Sequence, residues 1–250
     1  MNTIEFYSHE QQDEFIYNIF DQKKNGFFLE ISCGNPIIGS NTYTLEKYNQ
    51  WSGFSFDIYD VDAAYQWSEK RTSKFVQINA TTEQFTEFLK NNMPPDLIVD
   101  YISLDIDDDS ILALQRVIDA GVKFKSVTFE HEYHRLGDTQ RTASRDILEE
   151  IGMVRLFEDV RAANIHGPCG ETIVFEDWWI HPAYFDPVLL ALKTSQQLYK
   201  DSMKELVRFK NFDYTPTHMC SMAWPDEYTA FWRPAEEVEY KEKFKRFYGK

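Results

Sequence analysis

The chain has 250 residues, 43% apolar and 27% charged, enough for one well-buried domain with an appendage and unlike a disordered chain. Its formal net charge of −15 opposes bulk binding to DNA or RNA; the charge is read first as solubility, though an acidic cleft would suit a cationic ligand. No run of about 18 apolar residues is present to span a membrane. Met1-Asn2-Thr3-Ile4-Glu5 lacks the basic start and apolar stretch of a signal peptide. The cysteines, Cys33, Cys169 and Cys220, are far apart without CxxC or zinc spacing, which fits a reducing cytoplasm.

The first two-thirds of the chain alternates short β-rich runs with helical patterns, the signature of a parallel sheet with crossovers. A helix is expected over Gln11–Phe20, then a buried strand, Phe27–Ile31, between Gly26 and Gly34. A helix over Asn41–Lys47, a strand over Phe54–Ile58, a short helix over Ala63–Lys70 and a strand over Phe75–Ile78 follow. Thr81 and Gln84 have capping-box spacing for a helix to about Asn91, stopped by Pro94-Pro95. A fourth strand lies within Leu97–Leu104. Ser110 can cap a helix whose Ile111, Leu114, Val117 and Ile118 share a face, ended by Gly121. Ser126–Phe129 is a fifth strand and Ser144–Ile151 a helix closed by Gly152. Val154–Phe157 and Thr172–Ile180 read as a closing antiparallel pair. Beyond Pro182, helices are expected over Pro187–Arg208 and Glu227–Tyr248, with Pro216, Pro225 and Pro234 around them. This tail reads as an appended cap or interface element rather than a separate domain. Its basic end, Lys241 to Arg246, reads as a solvated helix face.

The loop after the first strand, Glu30-Ile31-Ser32-Cys33-Gly34-Asn35-Pro36, puts an acidic residue and then small residues where α/β sheets bind ligands. Asp57 ends the second strand, placed to accept both hydroxyls of a ribose. The third glycine of a dinucleotide loop and a phosphate-binding lysine are both missing. A nucleoside without a pyrophosphate needs the ribose contact but no phosphate cradle, and S-adenosylmethionine is such a ligand, with a positive sulfonium that suits carboxylates. A strand-helix turn with no ligand is the competing reading.

Several segments, in order, resemble the FkbM-type methyltransferases, class I S-adenosylmethionine-dependent O-methyltransferases. Ser8–Asp13 looks like that family's opening motif, Gly26–Asn35 like its first-strand motif, and Ser40-Asn41-Thr42 with Leu45-Glu46 like the helix that follows. Trp51–Asp57, Ile102–Asp107, Phe129–Glu132 and Phe175–Trp179 are similar to later strands, so the likeness spans residues 8–182. It implies a doubly wound, mostly parallel seven-stranded Rossmann-like methyltransferase sheet with an antiparallel closing strand, here with a helical extension over residues 187–250. In this chain Ser32 and Pro36 replace usual glycines, Asp57 the usual glutamate, and Asp108 a frequent glycine. Proline fixes φ and removes an N–H donor, so the loop is expected to take its own path.

By position and resemblance, Glu30 with Ser32, Cys33, Gly34 and Asn35 faces the methionine part of the cofactor. Asn41 and Thr42 join that set, Asp57 holds the ribose, and Asn79 and Ala80 border the adenine. A hydroxyl acceptor needs a general base, and His131 and His134, in Glu130-His131-Glu132-Tyr133-His134, are the candidates. Asp105 has either a catalytic role or a pairing with the cofactor's amino group. The carboxylates Asp105, Asp107, Asp108 and Asp109, with Glu130 and Glu132, suggest a site for Mg²⁺, against the alternative that Asp108 and Asp109 favour the next helix N-terminus. Trp178, Trp179 and His181 could stack on a sugar, with core packing as the alternative. The expected activity is methyl transfer to a hydroxyl of a sugar, glycan or small metabolite. A non-catalytic binding module on the same fold is the second expectation and a dinucleotide-dependent oxidoreductase the third.

Overall fold

The computed structural model describes residues 2–163 and 171–220. The helix expected over Glu227–Tyr248, Trp224, Trp232, Pro225, Pro234, the basic end and Cys169 lie outside these residues. Ten strands and nine α-helices are found among the described residues. The strands are β1 (Asn2–Phe6), β2 (Phe27–Ile31), β3 (Ser52–Asp57), β4 (Lys74–Gln77), β5 (Ile98–Leu104), β6 (Lys123–Glu130), β7 (Val154–Ala163), β8 (Thr172–Ile180), β9 (Thr194–Ser195) and β10 (Tyr214–His218). The helices are α1 (Gln12–Ile19), α2 (Tyr43–Asn49), α3 (Val61–Tyr65), α4 (Trp67–Lys70), α5 (Glu83–Asn92), α6 (Ser110–Asp119), α7 (Tyr133–Leu136), α8 (Asp138–Glu150) and α9 (Tyr199–Lys210).

The main sheet runs β4-β3-β2-β5-β6-β8-β7-β9, with β8 antiparallel to both neighbours and every other pairing parallel. This is the expected doubly wound, mostly parallel Rossmann-like sheet with its antiparallel closing strand, plus one two-residue strand, β9, at the edge. The strand order reverses between β2 and β5, so a crevice opens at their carboxyl ends.

Strand alternation sends apolar side chains into two cores. One face packs Phe28, Tyr101 and Trp178 against α1 and α9. The other packs Leu29, Phe56, Ile102, Phe129 and Trp179 with residues of α5, α6 and α8. Trp178 and Trp179 are both fully buried, one in each core, so neither is open to a sugar.

The stretch after Pro187 is less helical than its pattern predicts. A 3₁₀ segment (Pro187–Leu192), β9 and α9 are followed by β10, which pairs in parallel with β1 as a separate two-stranded sheet. Leu189, Tyr199, Met203 and Leu206 share one core with Phe15 and Phe28.

Two expected caps fail because the hydroxyls are used elsewhere. Thr81 donates to Asn79 Oδ1 at 2.8 Å and the helix starts at Glu83. Ser110 Oγ accepts the Ile106 N–H at 3.1 Å. No helix of the described residues is long and apolar enough to cross a membrane.

Candidate active site

A cleft of about 240 Å³ opens at the carboxyl ends of β3 and β4, lined by Ser32, Asp57, Asn79, Ala80, Ile106 and Asp107 among others. Asp57 is buried on its wall. Its Oδ2 accepts the Gly34 N–H at 3.0 Å and its Oδ1 the Tyr59 N–H at 2.9 Å. Burial raises the Asp57 carboxyl above its ordinary value although these amides oppose the shift. Each oxygen keeps lone-pair capacity for a ligand hydroxyl.

The loop between β2 and α2 reaches this cleft by a path that matches its unusual sequence. Ser32 takes a left-handed φ of 70°, and the Ser32 and Cys33 N–H groups both donate to Phe56 O at 2.9 Å. Gly34 follows at φ 53°, with nothing within 4 Å of where a Cβ would lie, so backbone conformation rather than crowding selects glycine there. Asn35 Oδ1 accepts the Ile37 and Ile38 N–H groups, both at 2.9 Å, forming a tight local turn. Pro36 does not line the cleft, and its carbonyl accepts from Arg71. Cys33 packs with Val61, Tyr65 and Trp67, and burial pushes its thiol up, so it is an inert wall of the loop.

Glu30 is placed differently from its expected role. It is buried, and its oxygens accept from Ser40 Oγ (2.8 Å), Asn41 N (3.0 Å), Thr42 Oγ1 (2.8 Å) and Ser55 Oγ (3.1 Å), with Arg71 at 3.7 Å. It anchors the far end of the loop instead of offering a carboxylate to a ligand. Thr42 is buried in the same contact, whereas Asn41 reaches toward the sheet end through Nδ2 to Ser103 Oγ at 2.9 Å.

Beside the cleft the strand register gathers acids. Leu104 pairs with Phe129, so the next residues, Asp105 and Glu130, come side by side, and Glu130 pairs across to Glu176. Glu10, before α1, closes the row: its charge and that of Asp105 raise the Glu176 carboxyl after burial does, and burial and then Asp105 push Glu10 up to about 8. Glu130 is raised well above the ordinary range by burial and by the charges of Asp105 and Glu132. Among the described residues no lysine or arginine forms an ion pair with Glu10, Asp105, Glu130 or Glu176. Glu132, one step on at φ 52°, pairs with Arg135 at 2.8 Å and His134 at 3.5 Å, and Arg135 also takes Asp107 and Asp108. The hydrogen bond from Glu130, with Arg135 and His134, outweighs burial and lowers Glu132.

The histidines separate. His134 stays partly exposed on the rim beside Glu132. His131 does not reach the cleft: its ring is fully buried on the far side, with Nε2 3.6 Å from Asp177 Oδ1 and 3.9 Å from Asp159 Oδ1. Its Nδ1 accepts the Tyr133 N–H at 3.3 Å, which leaves the proton on Nε2, facing the aspartates. Asp159 has φ 51° at a bulge of β7 and donates its N–H to Asp177 Oδ1 at 2.7 Å. Arg145 grips Asp177 (2.8 and 3.0 Å) and Asp159 (2.7 Å), and Arg141 adds a contact to Asp159 at 3.0 Å. Burial would raise Asp177, but His131 and Arg145 overcome it and hold the carboxyl at about 2.

Mg²⁺ does not fit as a preformed site. Among the described residues, the group of three His, Cys, Asp or Glu ligand atoms lying within 4.8 Å of one another is His131–Asp159–Asp177, already neutralised by two arginines. Asp105, Glu130 and Glu132 do not form such a group.

Sequence reasoning missed Arg71, Glu10 and Glu176 as parts of the site. Glu10 and Glu176 lie in segments singled out by resemblance, but only register and loop path bring them to Asp105. Nothing in the sequence around Arg71 marks it.

No family model and no curated protein matches the chain. Solved structures do. Human methyltransferase-like protein 13 in complex with SAH is 14% identical, with 88% of this chain and 91% of that one covered and a TM-score of 0.42. A SAM-dependent methyltransferase from Anabaena variabilis is 12% identical (68% and 84% covered, TM-score 0.42). A TehB-like SAM-dependent methyltransferase from Corynebacterium glutamicum is 14% identical (68% and 86% covered, TM-score 0.39). At such identities and scores these likenesses say nothing of activity, and the fold class rests on the strand order described above.

Proposed function

We propose that the chain binds S-adenosylmethionine and transfers its methyl group to an oxygen of a sugar, glycan or small hydroxylated metabolite. The observation that carries this reading is Asp57. It is a buried carboxylate at the end of β3, held by the Gly34 and Tyr59 amides on the wall of a cleft that Asn79 and Ala80, after the neighbouring β4, also line. That is a seat for a ribose and a base, and the loop lacks a phosphate cradle. The cationic methionine end would then lie toward Asp105, Glu130 and Glu176, with which no lysine or arginine forms an ion pair among the described residues.

The acceptor oxygen attacks the methyl carbon in line with the departing sulfur. The C–S bond breaks with its electrons going to sulfur, and the sulfonium charge vanishes. Orientation supplies most of the acceleration, because the donor is already activated. The acceptor proton needs a base. Glu130 beside Asp105 takes that role in place of His131, because burial raises its carboxyl above the ordinary range, which makes its carboxylate the stronger base, and it lies at the strand end. His134 stands at the rim as the second proton acceptor.

Calorimetry with S-adenosylmethionine and S-adenosylhomocysteine tests the reading. Wild-type protein should bind both, and Asp57→Ala should weaken binding by about a hundredfold or more, from the loss of two charge-assisted hydrogen bonds. Absence of binding to wild type at millimolar ligand would end the proposal. For the base, Glu130→Gln should lower kcat with affinity for S-adenosylhomocysteine, which carries no sulfonium charge, kept, and His131→Asn should leave kcat of the folded protein close to wild type.

A further inference from the structure

We infer that Arg71 is a positioning residue that shapes the cofactor loop by holding the loop's own oxygens with one guanidinium; this rests on the cofactor reading above. Arg71 lies between α4 and β4, outside every motif discussed, and its side chain is fully buried. Its Nη1 donates to Pro36 O at 2.8 Å and Ser40 Oγ at 3.0 Å, and its Nη2 to Thr42 Oγ1 at 2.8 Å. Its Nε pairs with Glu46 on α2 at 2.9 Å, and Glu30 lies at 3.7 Å. The guanidinium carbon sits 4.8 Å from the centre of the Trp67 ring and 5.4 Å from that of Tyr43, within cation–π range of both.

The loop has two halves with different supports. Residues 32–34 are pinned to β3 through Phe56 O and Asp57. Residues 36–42 have few backbone partners: Gly39 donates to Tyr7 O and Ser40 to Ile37 O. Asn35 Oδ1 holds the Ile37 and Ile38 amides and Ser103 the Asn41 side chain, while the Glu30 carboxylate and the Arg71 fork together take Pro36, Ser40, Asn41 and Thr42. Pro36 is thereby turned away from the cleft, and Asn41 is aimed at Ser103 beside the acidic row. A planar, five-donor fork can serve these separated acceptors at once; a lysine ammonium, a point charge on a flexible stem, cannot.

The test uses Arg71→Lys in the full chain, with two readouts. The first is S-adenosylhomocysteine affinity by calorimetry, together with the KM for S-adenosylmethionine and kcat at saturation. Arg71→Lys should weaken binding and raise KM by about tenfold or more, with kcat at saturation within about threefold of wild type, because the fork touches neither the methyl group nor the base. The second is amide hydrogen exchange on the ligand-free protein: Ser40, Asn41 and Thr42 should exchange faster in the variant, with β2, β5 and β6 unchanged. Wild-type affinity in Arg71→Lys, or unchanged protection of those three amides, overturns the inference, as does an equal fall in kcat and kcat/KM. If Arg71→Lys does not fold, Glu46→Gln, which loosens the guanidinium without removing it, goes through both measurements with a smaller change of the same sign expected. If wild type binds neither cofactor form, the cofactor reading falls, while the exchange comparison still decides whether Arg71 holds the loop.

Discussion

Replacing Glu10 with glutamine should stabilise the ligand-free protein in alkali and leave it nearly unchanged in acid. Burial, then the charge of Asp105, pushes the Glu10 carboxyl from an ordinary 4.5 up to about 8. The folded state therefore keeps a proton that the unfolded chain releases. For a group raised in this way, the stability it contributes is complete below its unfolded value and is lost as the pH rises through the folded one. The window is thus about pH 4.5 to 8. At about 1.4 kcal/mol per pH unit the ceiling is about 4–5 kcal/mol. Glu10 is only partly buried, so solvent screening reduces this to about 2 kcal/mol, part of it relief of the neighbouring Glu176. Urea unfolding of wild type and Glu10→Gln at about pH 5 and about pH 8.5 reads the difference directly. The two proteins should unfold alike at the lower pH and diverge at the higher, with the variant more stable. Parallel stability curves across that range would show that Glu10 titrates normally and that the row of acids is not strained.

Three further outcomes are expected. Gly53→Ala should cost about 3 kcal/mol or prevent folding, since the new Cβ would lie 2.2 Å from Phe28 O in the β2–β3 ladder; a melt within a degree of wild type would contradict the packing. Arg145→Ala should cost about 3–5 kcal/mol by leaving Asp159 and Asp177 buried without their main partner, seen as a lowered urea midpoint. Saturating EDTA should leave S-adenosylhomocysteine affinity and turnover unchanged, and restoration of a lost rate by added Mg²⁺ would reinstate the metal.

The fold was legible because its signals are local. Phe27–Ile31 is a run of apolar residues around one acid bounded by glycines, and it is a strand over those same residues. Ser126–Phe129 and Thr172–Ile180 carry the same kind of signal and lie in β6 and β8. Errors fall where a polar side chain had a choice of partner. Thr81 and Ser110 satisfy loop groups rather than helix ends, and spacing alone cannot tell the two apart. The two-residue β9 depends on a pairing with β7 37 residues back, and β10 on a pairing with β1 212 residues back, which no short pattern encodes.

The site was half legible for a related reason: this chain uses many carboxylates, and their roles are divided by surroundings that only the folded chain supplies. Glu30 has four donors and an arginine on its oxygens and acts as a brace. Asp159 and Asp177 face two arginines and a histidine and act as a second brace, which is why the ring of His131, placed correctly after the fifth strand, lies buried against these aspartates rather than among the cleft-lining residues. Asp57 has one amide on each oxygen and capacity to spare. Among the described residues Glu10, Asp105, Glu130 and Glu176 form no ion pair with a lysine or arginine, so they stand to gain by an incoming positive charge, because Coulombic compensation is strongest where none yet exists. A cationic cofactor should therefore bind more tightly as the pH rises and these acids ionise, whereas its demethylated product, having lost the sulfonium charge, should show a weaker dependence. Calorimetry of both ligands across about pH 6 to 9 measures that difference, and equal slopes for the two would detach the acidic row from the sulfonium.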